Sequence, residues 1–195
     1  MASTSRERVK APLYVDRHPE ASVLVAEFRN QAALLALSES QQFKFLHDRV
    51  YLALDAVAGR HKVYKVQVGP LGFVLSTNVA EADAQHAATL LRCARELLHV
   101  VGQVRLPCGQ PLGLTMALSS GAITSGLLGT VSLTYQLVGR CVTVAHQLCK
   151  ADLPLVATRS FRDTLPAAAA AELLPLGRMD LPCCPGEPVE LITPM

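Results

Sequence analysis

The chain has 195 residues, of which half are hydrophobic and 17% charged, with a formal net charge of +2. So small a surplus, with no Trp, four Tyr and five Phe, excludes the basic surface or stacking platform of a nucleic-acid binder. A mean hydropathy of +0.29 raises the question of a membrane span, and no charged residue lies between Arg105 and Arg140. That window contains six glycines, Pro107, Pro111 and eight Ser or Thr. A spanning helix needs unbroken apolar character, because lipid satisfies no exposed backbone group. The window is therefore read as buried strands joined by glycine turns.

The polar start, Met1–Lys10, lacks the apolar core of a signal peptide. Residues 1–17 are read as a flexible lead-in and 18–195 as a single domain, since no repeat or linker interrupts the chain. Ser22–Phe28 is a short apolar run and predicts a strand. Helical spacing of Leu46, Val50, Leu54 and Val57 predicts one helix from about 32 to 58, ended by Gly59. Val63–Val68 and Gly72–Leu75 around Gly69-Pro70 predict a hairpin. A second amphipathic helix is predicted over about 80–101, then strands at Leu112–Leu118 and Ala122–Ser125. Val142–Lys150 reads as a helix, Pro154–Thr158 as a strand, Ala167–Ala171 as a helical turn and Val189–Ile192 as a closing strand. This order predicts an α+β, ferredoxin-like βαββαβ sandwich with helices on one face of the sheet. The six cysteines show no C-x-x-C spacing and read as reduced, mostly buried thiols of a cytosolic protein. Zinc held by Cys183 and Cys184 is the weaker alternative, since no histidine neighbours them.

Five stretches in order resemble the class III nucleotidyl cyclases, the adenylyl and guanylyl cyclases. His18–Phe28 is similar to their opening strand, and Arg60–Val66 to the strand leading into their Gly-Asp hairpin. The run Leu118–Thr130 has glycines at the family's intervals, Tyr135–Gly139 stands where the family has Tyr-Asp-x-Trp-Gly, and Pro185–Val189 resembles its closing strand. The resemblance covers about residues 18–192 and implies the class III fold. It also implies a reaction in which a 3′-hydroxyl attacks the α-phosphorus of ATP or GTP, with two metal ions, at a site between two such domains.

Carried over position by position, the resemblance finds replacements. The first metal aspartate corresponds to Glu27 and the second to Pro70, which has no ligand side chain. Base-reading positions fall on Gln67 (or Val66) and on Gln136; the ribose-orienting Asn corresponds to Thr143 and the transition-state Arg to Gln147. Arg140 adds a cation. Glu27 is read either as a vestigial ligand or as a carboxylate paired with a basic neighbour. The glycines at 121, 126 and 129 read as points of close backbone approach and turns, since no Lys-Ser/Thr follows to make a phosphate loop. His86, His99 and His146 read as scattered histidines, and Ser119, Ser120, His146 and Asp152 lack the nucleophile-elbow pattern of a hydrolase.

These replacements imply a catalytically degenerate cyclase-homology domain acting as a dimerising regulatory or structural module. Its expected partner is another cyclase-homology domain, as homo- or heterodimer, or a larger complex, with no nucleic acid and no membrane span. A cytoplasmic location is expected, with assembly in a cilium or flagellum as one use of such a scaffold. No cofactor is expected. The alternative is one subunit of a composite cyclase, with Mg or Mn and ATP or GTP bound together with an active partner domain.

Overall fold

Ala21–Ala26 is an unbroken run of buried side chains, and a strand buried on both faces needs both faces covered. It forms the middle of β1 (Val15–Phe28) in a computed structural model that describes residues 14–129, 132–184 and 189–194. After β1 come α1 (Gln31–Leu35), α2 (Glu39–Phe45), a π-helical turn (Leu46–Tyr51) and α3 (Leu52–His61). The hairpin β2 (Tyr64–Gly69) and β3 (Gly72–Thr77) leads to α4 (His86–Gly102), β4 (Leu114–Leu128), β5 (Thr134–Val138) and α5 (Arg140–Leu148). The chain closes with β6 (Val156–Thr158), α6 (Arg159–Asp163), α7 (Ala167–Ala171), β7 (Leu173–Met179) and β8 (Val189–Pro194).

The sheet order is β2-β3-β1-β4-β6-β8-β7, with β5 also paired to β4. Its first four strands are mutually antiparallel and give the predicted ferredoxin-like βαββαβ unit. Alternation along β1 sends Leu24, Ala26 and Phe28 into a core with α2, α3 and α4, and Val23 and Val25 into a second core with α5. The helices therefore cover both faces, a correction to the one-faced layer expected from the sequence. The central strand is buried at every position of its middle, so a single layer would leave half of it in water.

Other elements differ from expectation for local reasons. β1 begins at Val15, inside the segment read as a lead-in, and pairs with β4 from Val15↔Gly126 onward; residues 1–13 lie outside the described residues. The register shifts between His18 and Ala21, around Pro19, which has no N–H for the ladder. The predicted helix over 32–58 is broken at Ser38, whose backbone N–H donates to Gln41 Oε1 at 3.1 Å, a capping-box contact that starts α2 afresh. Helix α4 starts at His86 rather than near 80. Asn78 Oδ1 accepts from the Asp83 N–H and Asp83 Oδ1 from the Gln85 N–H, both at 2.8 Å, so side chains hold this stretch as a loop.

The neutral window carries most of β4 and all of β5. The two short strands expected there are one 15-residue strand that runs through Gly121 and Gly126. A Cβ at Gly126 would lie 2.7 Å from the Tyr14 carbonyl oxygen, so this glycine permits close strand approach rather than a turn. Among the described residues, no helix is long and apolar enough to cross a membrane. The cysteines at 93, 141, 149 and 184 are buried, Cys183 is partly exposed and Cys108 exposed. The Pro185–Pro188 part of the closing motif lies outside the described residues; β8 begins just after it.

Candidate functional site

The C-terminal end of β1 meets the β2–β3 hairpin and α5 around a groove of about 340 Å³. Glu27 reaches it because it is the odd-numbered residue after Val23 and Val25, on the face toward α5. Gly72 pairs with Glu27 across the strands. A Cβ there would sit 2.1 Å from the Ala26 carbonyl oxygen, so only glycine lets the hairpin lie this close to β1. The Phe28 N–H donates to the Leu71 carbonyl at 2.9 Å. The Tyr51 hydroxyl donates to the Gly69 carbonyl and to that of Gly72, the latter at 3.2 Å. Burial pushes the Tyr51 phenol up to about 12, so this clamp stays protonated at physiological pH.

Three of the sequence-predicted positions line this groove: Glu27, Gln67 and Pro70. Gln136, Thr143 and Gln147 do not line it. Gln136 sits on β5 opposite Gly126. Thr143 is exposed on α5, its hydroxyl donating back to the Gly139 carbonyl at 3.3 Å. Gln147 is half-buried, and its Oε1 accepts from the Cys183 N–H at 3.3 Å. The groove's further polar wall is His146, read from sequence only as one of three scattered histidines. Partial burial lowers its imidazole, and the Glu27 carboxylate opposes that shift. The signal available was its place one residue before Gln147 and three after Thr143, on the same side of a helix.

Glu27 is half-buried, and its carboxylate makes no hydrogen bond or ion pair with any described residue. The basic neighbour of the second reading makes no ion pair with it: His146 across the groove feels its charge only at a distance, and Arg29, two residues on, is paired with Asp152 at 3.0 Å. The groove thus offers one carboxylate and one imidazole. Among the described residues no group of three or more His, Cys, Asp or Glu is placed to hold a metal ion. This donor set does not fit a pair of Mg²⁺ ions, which demand near-octahedral oxygen coordination.

The remaining polar clusters lie apart. Ser119 accepts from the Thr158 hydroxyl at 3.3 Å, Ser120 bonds Ser22 at 2.6 Å and Asp152 bonds Arg29, so the four groups of a hydrolase set do not converge. A larger cleft, of about 710 Å³, lies beside the ends of α3 and β3 and mixes Arg60, Lys62 and Arg92 with Glu81 and Asp83. It holds none of the predicted site residues.

The family model described as the adenylate and guanylate cyclase catalytic domain matches residues 13–152. The adenylate cyclase of Mycobacterium tuberculosis is 28% identical over 152 residues, covering 75% of this chain and 34% of that protein. The chain therefore spans about a third of the length of that relative. Among solved structures, the guanylate cyclase domain of RhGC from Catenaria anguillulae in complex with GTP aligns with a TM-score of 0.81 at 20% identity, over 92% of this chain and 98% of that one. The adenylyl cyclase CyaB from P. aeruginosa aligns with a TM-score of 0.78 at 13% identity, over 94% and 96%. At these identities the structural matches speak for the fold alone.

Proposed function

Because the chain belongs to the adenylate and guanylate cyclase catalytic domain family, we propose that it is a degenerate member, a dimerising regulatory or structural module within a larger assembly. The observation that carries this reading is the groove at the end of β1, with a single carboxylate and with proline at the second metal position. One carboxylate does not organise two divalent ions. Gln147, at the position of the transition-state Arg, supplies no positive charge, and its amide oxygen is engaged by the Cys183 backbone. Loss of one transition-state donor costs about 10²–10³ in rate, and here metal, ribose and phosphate positions are replaced together. The partner expected is a second cyclase-homology domain, since the family's sites form between two of them.

The test is direct. The purified chain is incubated with ATP or GTP and Mg²⁺ or Mn²⁺; no cyclic nucleotide above the metal-only blank is expected, and steady turnover by the chain alone overturns the proposal. Calorimetric titration with each nucleotide separates a sensing role, which gives binding heat, from pure interaction, which gives none.

The unpaired Glu27 favours a second reading, a subunit that lends this carboxylate to a composite site with Mg or Mn and a nucleotide on an active partner domain. Under it, Glu27→Ala lowers the activity of the co-expressed pair several-fold or more while leaving the pair assembled. Under the module reading, that substitution leaves the partner's activity unchanged.

A further inference from the structure

The segment after β7 folds over the C-terminal end of α5. There the Cys184 N–H donates to the Leu181 carbonyl at 2.9 Å, and both side chains are buried in the core beneath α5. The preceding residue latches this turn to the helix, since the Cys183 N–H donates to Gln147 Oε1. The two sulfurs lie 3.7 Å apart, Cys183 partly exposed and Cys184 buried. No other cysteine pair is in contact among the described residues. Burial pushes the thiols of Cys93 and Cys149 up to about 12 and about 11, leaving them inert at neutral pH.

We propose that Cys183 and Cys184 form a redox-switched vicinal dithiol, closed to a disulfide by hydrogen peroxide or a related hydroperoxide, and that closure releases the latch on Gln147. The more exposed Cys183 reacts first. Its thiolate attacks a peroxide oxygen, the O–O bond breaks, and the departing hydroxide takes up the thiol's proton to become water. The Cys184 sulfur then attacks the resulting sulfenic acid; the S–S bond forms, the S–O bond breaks, and the hydroxyl leaves as a second water with the Cys184 proton. Two thiols lose two electrons and two protons, and one peroxide becomes two waters.

The consequence for α5 follows from chain geometry. Neighbouring Cα atoms are held about 3.8 Å apart by a trans peptide, closer than the roughly 5.5–6 Å that disulfides prefer. Joining the sulfurs therefore twists the peptide between them, which carries the Cys184 N–H of the turn and flanks the Cys183 N–H of the latch. A strained disulfide of this kind is readily reduced, as a switch requires. Burial and the neighbouring thiol hold Cys183 above its ordinary range, with Arg140 opposing, so closure quickens as pH rises.

The full chain is treated with hydrogen peroxide, its remaining thiols are capped with a maleimide, and it is digested with trypsin. Cleavage after Arg178 yields residues 179–195, which contain Cys183 and Cys184, no other cysteine and no further Lys or Arg. The expected peptide is lighter by two hydrogens and carries no maleimide; dithiothreitol restores two adducts, and Cys183→Ser or Cys184→Ser abolishes the shift. Amide exchange at Cys183 and at the C-terminal turn of α5 is expected to quicken about tenfold on oxidation, in wild type and not in Cys183→Ser, for loss of roughly one hydrogen bond. Exposed Cys108 is the internal control. If Cys108 is oxidised while the 179–195 peptide keeps two adducts or only gains oxygen, the switch is overturned. A disulfide formed with unchanged exchange around Gln147 overturns the latch.

Discussion

The two ends of the buried run in β1, Ala21–Ala26, use their polar residues in opposite ways. Near its start, Ser22 is fully buried and its hydroxyl contacts His86 Nδ1 at 2.8 Å and Ser120 Oγ at 2.6 Å. The Ser76 hydroxyl donates to the Ser22 carbonyl at 2.8 Å and that of Thr77 to the His86 carbonyl at 2.9 Å, which ties three strands to the first turn of α4. No buried side-chain nitrogen or oxygen among the described residues is left without a partner. At the other end Glu27 projects a carboxylate with no such partner into an open groove, and the hairpin beside it is held by backbone contacts and the Tyr51 clamp. Polar side chains at the first end hold strands and helix together, whereas at the second end backbone contacts and the single Tyr51 hydroxyl maintain the shape. The shape of the groove thus rests on contacts that do not involve the Glu27 carboxylate.

Four measurements break or sharpen this contrast. Gly72→Val forces side-chain atoms onto the Ala26 carbonyl and is expected to cost about 3 kcal/mol or more, the upper end for overpacking, read as a fall in the urea midpoint with an unchanged slope. A loss below about 1 kcal/mol would mean that the hairpin is not held against β1 as described. Ser22→Ala leaves His86 and Ser120 short of a partner and is expected to cost about 2 kcal/mol by the same measurement; a neutral outcome would remove the idea that this end is a polar lock.

Smaller still is a dependence on pH. Burial lowers the His86 imidazole below its usual 6.5, with Glu20 and Asp83 opposing. The unfolded chain then binds the proton more readily than the folded one, so stability is complete above 6.5 and falls as the pH drops below that value. His86→Gln is expected to flatten this part of the profile, and an unchanged profile would reassign it to other groups, His146 among them. The smallest effect is expected from Glu27→Gln, within about 0.5 kcal/mol. A larger loss would show a stabilising partner for the carboxylate and erase the difference between the two ends.

Much of the fold was legible because burial writes itself into residue pattern. The largely apolar run at Ser22–Phe28, the helical stripe of α4 and the Gly69-Pro70 hairpin were each local signals. What escaped was set by contacts distant in sequence. The extension of β1 through Asp16 and Arg17 depends on β4 offering an open edge, since those residues carry no strand signature of their own. Strand β7, with Pro175 and Gly177 inside it, exists by pairing with β8 across a register break. The groove was half legible, because the resemblance nominated Glu27, Gln67 and Pro70 but gave no sign of His146 as its opposite wall.

By itself the sequence determined the family, the ferredoxin-like core and the chemical groups each position can offer, since a residue's identity fixes which atoms it brings: Pro70 has no ligand wherever it lies, and Gln147 no charge. Only the tertiary structure decided how the remaining groups are used. Whether Glu27 is paired, whether His86 is buried among hydroxyls and whether adjacent cysteines latch onto Gln147 depend on which strand and helix faces pack together, and that is settled by interactions between segments far apart in the chain, such as Ser22 with His86 and Gln147 with Cys183.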